Sequence, residues 1–149
     1  MKKISVFVFA MMASMSALAE NVEMDSTTKQ MIIKTTDTNL LTENVRINLS
    51  NNVQAGAAID GDEISLSTCH ASGRTSAREV AKVTCAAGAN PGDPQICTED
   101  VPRVMETKSG AVMNTATTKA GTVSPVYPNL PCNTTNAATA AGTRLTADN

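Results

Sequence analysis

Cys69 and His70, the chain's only imidazole, are adjacent, and a thiol beside an imidazole is the first pair to test for nucleophilic chemistry. Neighbouring side chains on a strand point to opposite faces, which works against a thiolate–imidazole pair at these two positions. Ser72 and Ser76 follow closely, but neither lies in the G-x-S-x-G turn that exposes a serine nucleophile. A metal site drawn from Cys69, His70, Cys85 and Cys97 lacks the closely spaced ligand pairs that zinc sites use. Asp60, Asp62 and Glu63 form a compact acidic group that offers paired carboxylates or hard oxygen ligands. The twelve-residue calcium loop pattern is missing around them, and an acidic turn explains the group without a ligand. Phosphate-cradling glycine motifs are absent. The expectation is no catalytic residue, no metal and no cofactor.

Cys69, Cys85, Cys97 and Cys132 make an even set, which in an oxidising compartment pairs into disulfides. Three pairings are possible, and the preferred one joins Cys85 to Cys97 across a turn-rich segment and Cys69 to Cys132 over a longer span. The compartment is suggested by the first nineteen residues. Lys2 and Lys3 precede the apolar run Ile4 to Met12, and Ala17-Leu18-Ala19 places small residues where a signal peptidase reads them, with cleavage expected before Glu20. The run is too short to span a bilayer, so no membrane span is expected after its removal. The expected destination is the periplasm, the cell surface or the medium.

Without residues 1–19 the chain loses Phe7 and Phe9, leaving Tyr127 as its sole aromatic side chain. Covalent cross-links then compensate for a core without bulky rings. Twelve basic and fourteen acidic residues leave a formal charge of −2, which disfavours nucleic acid as a partner.

The elements that would carry these residues read as short strands. Val45, Ile47 and Leu49 alternate with polar residues before Asn51-Asn52, and Gln30 to Thr36 holds a second strand-forming run. Val53 to Ile59 and Glu63 to Cys69 flank Asp60-Gly61-Asp62, the strongest hairpin signal in the chain. Ser76 and Glu79 fit a helix-capping box, predicting a short helical turn that runs into a strand. Asn90 to Pro94 reads as a turn cluster and Ile96 to Met105 as a strand broken at Pro102, with a turn at Glu106 to Ser109. Two weak strands follow at Ala111 to Met113 and Thr122 to Tyr127, the latter limited by Pro125, Pro128 and Pro131 to an edge or an extended segment. The predicted architecture is mainly β, a small antiparallel sandwich or barrel-like domain over residues 20–132. A flexible lead-in at Glu20 to Gln30 precedes it, and a low-complexity flexible tail covers 133–149.

The functional expectation is an exported, non-enzymatic bacterial protein acting through protein–protein contact or self-assembly, such as a surface or fimbria-like subunit. Gln30 to Thr36 or the tail would supply a strand to a neighbour. The alternative is a small periplasmic ligand-binding protein or a protease inhibitor presenting Arg103 from Val101-Pro102-Arg103-Val104.

Overall fold

Alternation and a tight turn build the centre of the molecule. In the computed structural model, which describes residues 19–86 and 96–148, Val53–Asp60 and Glu63–His70 pair antiparallel along their full length through the two-residue loop Gly61-Asp62. Gly61 has φ 55° at the first loop position, where a type II′ hairpin requires a residue free of a Cβ. These strands are β4 and β5. In chain order the others are β1 (Glu20–Glu23), β2 (Gln30–Ile33), β3 (Val45–Asn48), β6 (Arg78–Ala81), β7 (Val83–Ala86), β8 (Ile96–Glu99), β9 (Met105–Lys108), β10 (Met113–Thr117) and β11 (Val123–Val126). One helix, α1, spans Thr134–Asp148.

The fold is mainly β and its ladders are antiparallel, as the alternation predicts. A five-stranded sheet has the order β1-β4-β5-β10-β11, and Pro125 lies in the edge strand β11, where its missing N–H is tolerated. The β2–β3 ribbon covers one face. Met31 and Ile33 pack there with Ala55, Ala57 and Ile59 of β4, and Ile47, Leu49 and Leu66 complete the cluster. Asp25 shapes the approach to this ribbon. Its carboxylate accepts the N–H groups of Thr27 (2.7 Å) and Thr28 (3.3 Å), and those bonds hold it below the usual carboxylate range.

α1 covers the other face, where the sheet presents small and hydroxyl side chains. Ser65 and Ser67 of β5 and Thr115 and Thr117 of β10 are buried, beside Gly56 and Ala58 of β4. The helix meets them with alanines. Ala137 and Ala140 pack with Cys69 and Met113, and Ala141 and Leu145 pack with Ala58. At Gly56 the two backbones touch: a Cβ there would lie 2.3 Å from Ala138 N.

Several expectations are corrected. Residues 134–148 form a helix docked on the sheet, not a flexible tail, and the β-rich unit therefore does not stop at 132. Alanine is the best helix former, and Asn133 caps the start by accepting the Asn136 N–H at 2.7 Å. Glu23 accepts the Thr134 and Thr135 hydroxyls at the same end, which places a carboxylate near the positive pole of the helix. The lead-in is partly a strand, since β1 pairs with β4 from Glu20↔Ile59 to Glu23↔Gly56. No helical turn forms at Ser76: its hydroxyl accepts Arg74 Nε at 2.9 Å, and the chain proceeds directly into β6. Glu106 to Lys108 belong to β9 rather than a turn, because β6 supplies a partner for their backbone. Of the expected leader at 1–19 all but Ala19 lies outside the described residues, as does the turn cluster Asn90 to Pro94.

Cys69 at the end of β5 is bonded to Cys132, just ahead of α1, with Cα atoms 5.8 Å apart. Cys97 is also in a disulfide, and Cys85 stands opposite it in the β7–β8 ladder. Replacing Cys69 and Cys132 by serine is expected to lower stability by about 4 kcal/mol in the chain-entropy picture, as read by urea unfolding. Glycine to alanine normally favours a strand, but Gly56→Ala is expected to cost about 1–3 kcal/mol. Hydrogen exchange should show α1 losing protection first, and unchanged or increased stability would contradict the close contact at Ala138.

Candidate functional site: a basic groove at the root of a long ribbon

β5 delivers His70 to the rim of the sheet, and the chain then turns back on itself. Ala71 N–H donates to Asn52 O at 2.7 Å and Gly73 N–H to His70 O at 2.8 Å. Gly73 fits because a Cβ there would press on that same carbonyl. The Ser72 N–H donates to His70 Nδ1 at 3.2 Å, leaving Nε2–H as the donor of the neutral ring.

Two arginines leave this turn. Arg74 donates through Nε to Ser76 Oγ and through Nη2 to Ala77 O at 3.3 Å. Arg78, at the start of β6, donates Nη1 to Arg74 O (3.0 Å) and Nη2 to Gly110 O (3.1 Å). Its guanidinium carbon lies 4.9 Å from the centroid of the Tyr127 ring, a cation–π contact. The result is a groove of about 550 Å³ lined by His70, Arg74, Arg78, Val112, Asn114 and Tyr127. Three connections converge on it: the β5–β6 turn, β10 and the segment after β11.

From the same root a long two-stranded ribbon departs. β6 pairs with β9 and β7 with β8, and between the two ladders Lys82 stands opposite the five residues Asp100 to Val104. Lys82 N–H donates to Val104 O at 2.8 Å and Asp100 N–H to Lys82 O at 3.1 Å, so the bulge is stitched on both sides. The Val101–Pro102 peptide inside it is cis. Asp100 is pinned by the Thr84 hydroxyl and by Lys82 Nζ at 3.4 Å. These contacts, the Thr84 hydrogen bond first, hold its carboxyl below the usual range.

The residues singled out in the sequence are dispersed. Cys69 is oxidised with Cys132 and carries no thiol. His70 and Cys69 lie side by side on the groove lining without a nucleophilic partnership. Ser72 and Ser76 are exposed turn residues serving Arg74 and His70. Asp60 and Glu63 stand opposite each other in the β4–β5 ladder, with Glu63 buried, whereas Asp62 is exposed in the hairpin loop. Among the described residues no three of His, Cys, Asp and Glu gather as a metal ion would require. Arg103 lies in the ribbon bulge, 3.4 Å from Glu99. Arg74, Arg78 and Tyr127 carry no local signature, because β5–β10–β11 pairing alone brings position 127 to positions 74 and 78.

Comparison with protein-family models, curated proteins and solved structures finds no match for this chain.

A carboxylate whose folded pKa is depressed stabilises the fold above its ordinary titration range and loses that contribution as pH falls through the lowered value. The Asp100 carboxyl should therefore titrate below 3.8, with amide protection at Lys82 and Thr84 persisting until it protonates. NMR titration reads both, and Thr84→Val should move the midpoint back toward the ordinary value.

Proposed function

We propose that this chain is an exported, non-enzymatic protein that acts by protein–protein contact through the β6–β9 ribbon. One observation carries the reading: the ribbon exposes Val83, Ile96, Val101, Val104 and Met105, with Val101 96% and Ile96 64% accessible. Apolar side chains gathered on a projecting element are a costly surface for a protein without a partner. Strands that chiefly contact their own ladder partners, as β6 with β9 and β7 with β8, also leave the ribbon's outer edges available.

Export is supported by the charged, apolar and small-residue order of the first nineteen positions and by disulfide bonding. No helix among the described residues is long and apolar enough to cross a membrane. A non-enzymatic role is supported by the oxidised state of Cys69, which removes the thiol beside His70. Strand donation by Gln30 to Thr36 or by the C-terminal segment draws no support, because β2 is paired with β3 and the C-terminal segment is helical.

The test places a photo-crosslinker at Val101 and, as a control, at exposed Thr28, in protein expressed with its leader. A discrete product of defined mass from position 101 alone, lost when Ile96→Asp is added, is the expected result. A strictly monomeric chain at high concentration, with no product from position 101, would overturn the proposal.

A further inference from the structure

The groove below the ribbon has a chemistry of its own, independent of the ribbon's apolar surface. The chain as a whole is acidic, yet Arg74 and Arg78 share one hollow with His70 and no Asp or Glu lines it. The acid nearest in sequence, Glu79, lines a neighbouring hollow together with Arg74, Arg78 and Thr107, but does not line this one. Among the described residues neither groove guanidinium forms an ion pair with a carboxylate.

Both guanidiniums are nevertheless held in place. Their bonds to backbone carbonyls and Ser76 fix the planes while consuming only part of each five-donor fork. Carbonyl oxygens orient a cation but do not neutralise it, so the positive charge remains available. Arg78 Nε is buried and makes no hydrogen bond with another described residue, a donor that costs free energy while unsatisfied. The Arg78 guanidinium lies over the Tyr127 ring, and Nη1 and Nη2 each keep a second N–H beyond their bonds to Arg74 O and Gly110 O. Asn114 and His70 Nε2–H add neutral donors, and the volume suits a small molecule.

The geometry points to a binding site for a small oxyanion, held by the guanidinium edges of Arg74 and Arg78 with His70 and Asn114 as orienting donors. Carboxylate and phosphate groups share the required chemistry.

The oxidised chain is titrated separately with citrate, inorganic phosphate and glycerol, following the Arg78 Nε–H and His70 ring signals by NMR. Saturable shifts with citrate, with phosphate or with both support the site and assign the anion class, and glycerol should produce none. Arg74→Gln should weaken binding about tenfold or more, as loss of a charged hydrogen-bond donor does. Arg78→Lys keeps the charge but loses the fork and should also weaken binding, whereas Lys29→Gln, on the distant β1–β2 turn, should not. Circular dichroism of each variant separates lost binding from lost folding, and Arg74 is exposed enough to be replaced without disturbing the sheet. Absence of saturable shifts with both anions would overturn the inference, as would equal weakening by Lys29→Gln and Arg74→Gln.

Discussion

α1 approaches the central sheet until the backbone of Ala138 touches Gly56, and that contact sets the separation of helix and sheet. A fold whose only aromatic residue between positions 20 and 149 is Tyr127 cannot fill a wide gap between helix and sheet. It narrows the gap instead, matching an alanine stripe to Gly56, Ala58, Ser65 and Ser67. Dispersion gains fall off within an ångström of optimal contact, so small side chains stabilise only when they are this near. The Cys69–Cys132 bond secures the N-terminal end of the helix to the end of β5, and Leu145 fills the opposite end of the interface. Ser65 Oγ and Ser67 Oγ are buried there without hydrogen bonds to protein atoms, a local cost set against the close packing.

The sheet was legible where side chains alternate. Val53 to Asp60 and Glu63 to His70 lie as their pattern and the Gly61 turn require, and Pro125 marks an edge as its missing donor demands. Cys69–Cys132 matches the preferred pairing. The helix was misread because Ala, Thr and Asn suggest too little to bury. Yet Ala137, Ala141 and Leu145 recur every fourth residue behind a capping Asn133, a helical stripe of small side chains. Ser76 and Glu79 misled in the opposite direction. A capping box is local, while β9 offered the same backbone a full ladder.

The groove shows the limit of reading along one dimension. Arg74 and Arg78 are unremarkable in a turn-prone segment, and Tyr127 is separated from them by the entire ribbon and two strands. Three-dimensional pairing of β5 with β10 and of β10 with β11 creates the neighbourhood. The ribbon and the groove share Arg78, whose backbone opens β6 and whose side chain binds Gly110 and covers Tyr127. Any load on the ribbon is thus applied through a residue that also shapes the groove wall.

The serine and threonine hydroxyls beneath α1 have a consequence for the chain before it is finished. The segment that covers them is synthesised after every strand of the sheet, and Cys132 cannot close on Cys69 until it has emerged. Until then that side of the sheet sets the hydroxyls of Ser65, Ser67, Thr115 and Thr117 among Ala58 and Met113. An unlatched precursor therefore presents a broken rather than a continuous hydrocarbon surface there for a neighbouring chain to adhere to.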